Sequence, residues 1–270
     1  PGADLIVEPT ARGTVNALGL AAMEVFAAEP DAVMICVPAD HVIEGDEEYR
    51  GCIRRAIAAA QDGSRLLTIG LTPTEPATGF GYIHAGKVAG DVLEVLEFVE
   101  KPSVEVAQRY LAAGGYYWNL AMFCWRASTF LQELRSVAPG HHDGLLAVRE
   151  GRADYADLPN QTVDYAVMEK TERLFLIPAT FGWRDVGSWA ELAGLRSRDE
   201  AGNSVDGDAA LIDTAGSLIS APGKLVAAIG VQDLVVVDTE DALLIVPKSR
   251  VQDVKQLVEL LRASGRTKYL

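Results

Sequence analysis

Four charged side chains, Asp40, Glu100, Lys101 and Asp185, stand where apolar segments run into polar turns, and together they are suited to phosphate chemistry. Asp40 follows the unbroken apolar run from Ala32 to Val37, in the group Pro38-Ala39-Asp40-His41. Open α/β sheets gather ligand-binding groups at the carboxyl ends of such strands, although a turn or helix-cap aspartate would sit there equally well. His41 is given a supporting role, because a lone histidine beside an aspartate more often hydrogen-bonds its loop than acts as acid or base. Glu100-Lys101-Pro102 ends a stretch in which Val92, Val95, Leu96, Phe98 and Val99 are apolar, so a carboxylate and an ammonium emerge together at a sheet edge. Read functionally, Lys101 neutralises a phosphate while Glu100 accepts hydrogen bonds from sugar hydroxyls; a solvated turn would carry the same pair. Asp185 lies in GWRDVGSW, bracketed by Gly182, Trp183, Gly187 and Trp189, which suggests a tight loop beside a helix start. Brought beside Asp40, it would complete a hard-cation site of carboxylates plus substrate phosphates, the environment that magnesium prefers.

Other chemistries lack their residues. The chain contains no G-x-S-x-G elbow, no H-E-x-x-H pair and no G-x-x-x-x-G-K-[ST] loop. Direct attack of a substrate oxygen on phosphorus needs no protein nucleophile, only alignment and charge compensation. A formal charge of −14, with no basic stretch interleaved with aromatics, argues against nucleic acid as partner. An acidic protein that binds nucleotides calls instead for a divalent cation. Cys36, Cys52 and Cys124 are widely spaced and odd in number, as in reduced core thiols. No membrane-length apolar run and no basic-then-apolar N-terminal leader occurs, so a cytoplasmic location and no membrane partner are expected.

The elements that must position these groups alternate between strand and helix. An extended start (Asp4 to Glu8) leads to a helix over residues 14–29 with Val15, Leu18, Ala22, Val25 and Phe26 on one face, then to a buried strand over Ala32 to Val37. Asp46 opens a second helix that stops at Gly63, ahead of a buried strand from Arg65 to Leu71. A polar loop (Thr72 to Gly81), a β segment (Val92 to Glu100) and a helix capped by Ser103 follow. Strand Met122 to Arg126, helices at Ser128 to Val137 and around Val163 to Lys170, strand Leu174 to Ala179 and a helix from Ser188 to Leu195 complete the larger unit. From about Asn203 the texture becomes five short β runs, Ala209–Asp213, Ser217–Ser220, Leu225–Ile229, Leu234–Asp238 and Leu243–Pro247, closed by a helix bearing Val254, Leu257, Val258 and Leu261. The expected architecture is an α/β layered sandwich over residues 1–200 and a small β-solenoid-like domain with a terminal helix over 201–270.

Taken in order, LIVEPTARGT (Leu5 to Thr14), VPADHVI (Val37 to Ile43), PTEPATGFGYI (Pro73 to Ile83), FVEKP (Phe98 to Pro102), YYWNLAMF (Tyr116 to Phe123), DYAVMEKT (Asp164 to Thr171), GWRDVGSW (Gly182 to Trp189) and KSRVQDVK (Lys248 to Lys255) closely resemble the mannose-1-phosphate guanylyltransferase family. Each segment is weak alone; eight in order are specific. The resemblance implies a nucleotidyltransferase-type sandwich with a mixed sheet, followed by a small β-helix-like domain, and it matches the short, single-activity form because nothing after Leu270 could supply an isomerase cupin. By the same resemblance Asp40 and Asp185 bind magnesium (Mg2+), Glu8 and Arg12 lie near the guanine, and Gly81, Glu100, Asn119 and Lys101 contact mannose 1-phosphate. The implied reaction is in-line attack of mannose 1-phosphate on the α-phosphorus of GTP, giving GDP-mannose and pyrophosphate. The family and the terminal β domain also point to a homodimer.

Three departures from the family pattern set further expectations. The sequence begins after the family's opening strand and its G-G-x-G-T-R-L loop, so by the resemblance either these residues precede Pro1 or the chain lacks a central strand and its main phosphate grip. Arg12-Gly13-Thr14-Val15-Asn16 stands where the family reads R-N-T-A-P, which alters the base-contacting loop. Trp118-Asn119-Leu120-Ala121-Met122-Phe123 replaces W-N-S-G-M-F, and the bulk of Leu120 is expected to shift sugar preference. These departures admit a second class of function, a catalytically impaired sugar-nucleotide binding or partner subunit, and a third, the same chemistry on another sugar 1-phosphate or NTP.

Overall fold

The computed structural model describes residues 5–186 and 197–269. The helix expected over Ser188 to Leu195 lies outside the described residues, as do Gly187 and Trp189. Leu5 to Glu8 belong to no strand.

The first long helix, α1 (Thr14–Ala28), buries Val15, Asn16, Gly19, Ala22 and Met23, a face rotated from the one expected, so that Phe26 is exposed. Strand β1 (Val33–Cys36) follows, then β2 (His41–Glu44), helix α2 (Asp46–Ala60) and β3 (Leu66–Leu71). Asp46 is the first residue of α2, and Gly45 rather than a side-chain acceptor precedes it; the acidic first turn, Asp46, Glu47 and Glu48, suits the helix's positive end. Beyond the polar loop come β4 (Tyr82–Ala89), β5 (Val92–Val99), α3 (Val104–Ala113), β6 (Tyr116–Arg126), α4 (Ala127–Val137) and α5 (Pro139–Arg149). Ser103 caps α3 as expected, its Oγ accepting from the Val106 amide at 3.4 Å. Residues 163–170 do not continue as an α-helix: Asp164–Met168 form one π turn. Strands β7 (Leu174–Pro178) and β8 (Gly182–Asp185) follow.

Strands β1, β6, β3, β7, β5 and β4 form a six-stranded sheet in that order, and the first half of the long β6 also pairs with β4. Only β3 and β7 run parallel; the remaining ladders of this sheet are antiparallel, so it is mixed. Period-two alternation along β6 separates the two cores. Leu120, Met122 and Cys124 meet Cys52, Ala56 and Ala60 of α2, whereas Phe123 and Trp125 meet Val15, Phe130 and Leu134 of α1 and α4. β1 was expected to be buried. It instead ends the sheet, paired with β6, and Ile35 and the following Val37 are 38% and 48% exposed.

The chain clusters into two compact units, residues 1–39 with 43–183 and residues 40–42 with 184–270. In the second, β9 (Ser204–Ile212), β10 (Leu218–Ile229) and β11 (Leu234–Asp238) stack in parallel and β12 (Leu243–Pro247) runs antiparallel to β11. The two runs read as separate strands over Ser217–Ser220 and Leu225–Ile229 are one strand, interrupted by a bulge at Pro222–Lys224. Leu218, Val235 and Val237 form its small core, and α6 (Val254–Ala263) closes the chain. The parallel stacking of β9 to β11 is what a short β-helix requires.

Candidate functional site

Asp40 stands just ahead of β2 and Asp185 ends β8, and these two four-residue strands pair with each other. The Val186 amide donates to the Asp40 carbonyl at 3.3 Å, which holds the two loop ends together. Asp40, His41 and Asp185 each offer a ligand atom, and these atoms lie within 4.8 Å of one another. Burial lowers the pKa of His41 against the opposing pull of Asp185 and then Asp40. The imidazole is therefore neutral near pH 7. Two carboxylates and a neutral imidazole in this space fit a divalent cation.

A second group gathers in the other unit. Gly81, Glu100, Lys101 and Asn119 come together where β4, β5 and β6 meet. Thr68 faces Phe123 and Gly70 faces Asn119 across the β3–β6 ladder, so residues 120–122 of β6 stand against the single residue Ile69. This bulge carries Ala121 at φ 51°, a conformation costly for a side-chain-bearing residue, and bulges of this kind re-aim side chains beside functional sites. Lys101 is likewise held at φ 48°. Its Nζ donates to Glu100 Oε1 at 2.8 Å, and the hydrogen bond to that carboxylate raises its pKa against partial desolvation. The Glu100 side chain is only 7% exposed, and its Oε2 is buried without a hydrogen-bond partner. Gly81 explains why that oxygen has room: a Cβ at residue 81 would stand 2.5 Å from Glu100 Oε2 and 3.3 Å from Asn119 Cβ. A buried, unpaired carboxylate oxygen is expensive to maintain, and in a site it is a waiting acceptor.

Asp164, absent from the residues singled out in the sequence, belongs to this group. Asn119 Nδ2 donates to Asp164 Oδ1 at 3.0 Å. Burial first, and the Glu100 charge second, push the Asp164 carboxyl up to about 6. The signal that could have found it is an aspartate opening an apolar run, Asp164-Tyr165-Ala166-Val167-Met168, beside a candidate site.

Glu8 and Arg12 flank the entrance of α1. Glu8 Oε1 accepts from Tyr155 Oη at 2.6 Å, and desolvation together with that carboxylate raises the tyrosine pKa. Arg12 has a buried Nε without a partner. The two substitutions in this loop have structural reasons. Gly13 sits at φ 77°, and a Cβ there would collide with the Gln161 backbone. Asn16 is fully buried; its Nδ2 donates to the carbonyls of Arg12 and Pro159, and its Oδ1 pairs with His141 Nδ1 at 2.9 Å. Leu120, expected to bear on the sugar, points instead into the core with Cys52, Ala56, Leu67 and Ile69. Strand alternation puts it on the face opposite Asn119.

Comparison with known proteins gives the same outline. A family model described as nucleotidyl transferase matches residues 3–201, and a MannoseP isomerase/GMP-like beta-helix domain matches residues 207–261. The chain is 40% identical over 281 residues to mannose-1-phosphate guanylyltransferase of Escherichia coli (strain K12), covering 97% of this chain and 59% of that protein. It is 40% identical over 278 residues to the alginate biosynthesis protein AlgA of Pseudomonas aeruginosa, covering 97% of this chain and 57% of that protein. It thus spans less than two thirds of the length of these curated relatives. Among solved structures, that of a mannose-1-phosphate geranyltransferase from Thermus thermophilus superposes with a TM-score of 0.83 at 35% identity, over 96% of this chain and 78% of that one.

Proposed function

The chain belongs to the nucleotidyl transferase family, and we propose that it transfers GMP from GTP to mannose 1-phosphate, releasing pyrophosphate and forming GDP-mannose. In this reaction a phosphate oxygen of mannose 1-phosphate forms a bond to the α-phosphorus of GTP while the bond from that phosphorus to the pyrophosphate oxygen breaks. The observation that carries the proposal is the convergence of Asp40, His41 and Asp185 within 4.8 Å, a set of ligand atoms suited to a divalent cation. The name of the Escherichia coli relative, matched over 97% of this chain and 59% of its own length, suggests the guanine and the mannose.

Each group then has a role that its chemistry supports. Asp40 and Asp185 would hold magnesium, which would offset the charge developing on the triphosphate. Neutral His41 orients its loop beside them rather than adding a third charge. Lys101 neutralises the phosphate of mannose 1-phosphate, Glu100 and Asn119 take its hydroxyls, and Gly81 leaves the space they occupy. Glu8 and Arg12 serve the base. We assign the transfer chemistry to residues 1–200 and a supporting scaffold to residues 201–270. The free thiols of Cys36, Cys52 and Cys124 and the nucleotide substrate support a cytoplasmic location. No helix among the described residues is long and apolar enough to cross a membrane.

Turnover of the full-length protein against a small panel of NTPs and hexose 1-phosphates, followed by pyrophosphate release with magnesium present, tests the reading. GTP with mannose 1-phosphate should give the highest kcat/KM. Faster turnover of another pair would reassign the substrates, and no turnover of any pair would remove the enzymatic reading.

A further inference from the structure

The amide of Asn119 is held on three of its four hydrogen-bonding positions. Its Oδ1 accepts from Thr68 Oγ1 at 3.1 Å and from the Ala121 amide at 3.2 Å, which uses both lone pairs. Its Nδ2 donates one hydrogen to Asp164 Oδ1 at 3.0 Å, leaving one N–H. Glu100 Oε2 is buried without a partner, and a Cβ at residue 81 would stand 2.5 Å from it and 3.3 Å from Asn119 Cβ, so Gly81 borders both side chains. One spare donor and one spare acceptor on side chains that both border Gly81 match a hydroxyl group, which both gives and accepts a hydrogen bond. Asp164 reaches Asn119 from a π turn, an uncommon distortion that is frequent at functional sites. It also lines a cavity of about 470 Å³ whose other walls are mainly apolar, among them Leu18, Met34, Val37, Phe123 and Val163, with Thr14 and Cys36 beside them. Among the described residues no other charged side chain lines this cavity, so packing alone does not call for a carboxyl there.

We infer that Asp164 is a positioning residue of the substrate site. It fixes the Asn119 amide so that the remaining N–H, with Glu100 Oε2, reads one hydroxyl of the incoming sugar phosphate. The inference rests on the sugar 1-phosphate reading above. Asp164 does not itself touch the substrate; it acts through Asn119.

Calorimetric titration of the protein and its variants with mannose 1-phosphate, and separately with GTP, tests it. Asp164→Ala should weaken mannose 1-phosphate binding roughly tenfold, the scale of one oriented hydrogen bond to a buried site, and leave GTP within about twofold. Asp164→Asn, which keeps an acceptor oxygen in place, should return mannose 1-phosphate affinity to within about threefold of wild type. In an Asn119→Ala background, Asp164→Ala should add no further loss, because the two act as one unit. If Asp164→Ala does not fold, Asp164→Ser, polar but too short to reach Asn119, takes its place with the same expectation. Unchanged mannose 1-phosphate binding, equal losses for both ligands, or a full additional loss in the Asn119→Ala background would each overturn the inference alone. A wild-type protein that binds no hexose 1-phosphate would overturn the sugar phosphate reading and this inference with it.

Discussion

Asp164→Asn should stabilise the protein at neutral pH and progressively less toward acid. The residue is only 9% exposed, and burial with the neighbouring Glu100 charge raises its carboxyl from 3.8 to about 6, against the lesser opposing effects of its own backbone amide, Lys101 and Asn119. The other titratable group lining its cavity is Cys36, whose thiol is pushed up to about 12 by burial and is neutral throughout. Because the folded state holds the Asp164 proton more tightly than the unfolded chain, this group costs nothing below about pH 3.8. Its cost grows between 3.8 and about 6 and is constant above. A shift of about two units corresponds to roughly 3 kcal/mol at pH 7.5 and roughly 1 kcal/mol at pH 4.5, so the advantage of Asp164→Asn should grow by about 2 kcal/mol across that range. Urea denaturation followed by the buried Trp118 and Trp125, with wild type and variant at pH 4.5, 6 and 7.5, reads this directly. An advantage that is flat with pH would mean that Asp164 titrates normally. A variant less stable than wild type at pH 7.5 would mean that the ionised carboxylate is fully compensated, refuting its description as a costly group.

Asp185→Asn should lower kcat by about 10²–10³-fold at saturating magnesium with an unchanged circular dichroism spectrum, the scale of a lost electrostatic group at developing charge; an unchanged kcat removes Asp185 from the metal site. Lys101→Ala should weaken mannose 1-phosphate by roughly ten- to a hundredfold in titration calorimetry and GTP far less, since one charge-assisted contact to phosphate is lost. A solvated-turn lysine would instead change either ligand by less than about 0.5 kcal/mol. Leu120→Ala should cost about 2–5 kcal/mol of stability, as for other fully buried leucines, while leaving the ranking of hexose 1-phosphates in a turnover panel unchanged. A changed ranking would return Leu120 to the sugar site.

Long periodic segments were legible because their burial is one-sided: α1, α2, β3, β5 and the Ser103-capped α3 all lie within a residue or two of where apolar spacing puts them. Short elements were not. β2 and β8 are four residues each and carry His41, Arg184 and Asp185 among few apolar residues, so pairing rather than local pattern creates them. Helix α5 was hidden by its opening Pro139-Gly140-His141-His142, although proline is well suited to a first helical turn. β1 reads as a buried strand because Val33, Met34 and Ile35 are apolar on both faces, yet its position at the end of the sheet is a tertiary fact. In the site, charged residues at strand ends were visible. The bulge at Leu120–Met122 was not, and with it went the knowledge that Leu120 faces the core while Asn119 and Asp164 face each other.

The central claim, that an oxygen of mannose 1-phosphate forms the new bond to the α-phosphorus of GTP, is tested most directly by following oxygen. With mannose 1-phosphate carrying ¹⁸O on its phosphate, ³¹P NMR of the products formed with GTP should show the label bonded to both phosphorus atoms of GDP-mannose, in the bridging position, and none in pyrophosphate. Label appearing in pyrophosphate, or GDP-mannose whose bridging oxygen is unlabelled, would contradict the proposed transfer.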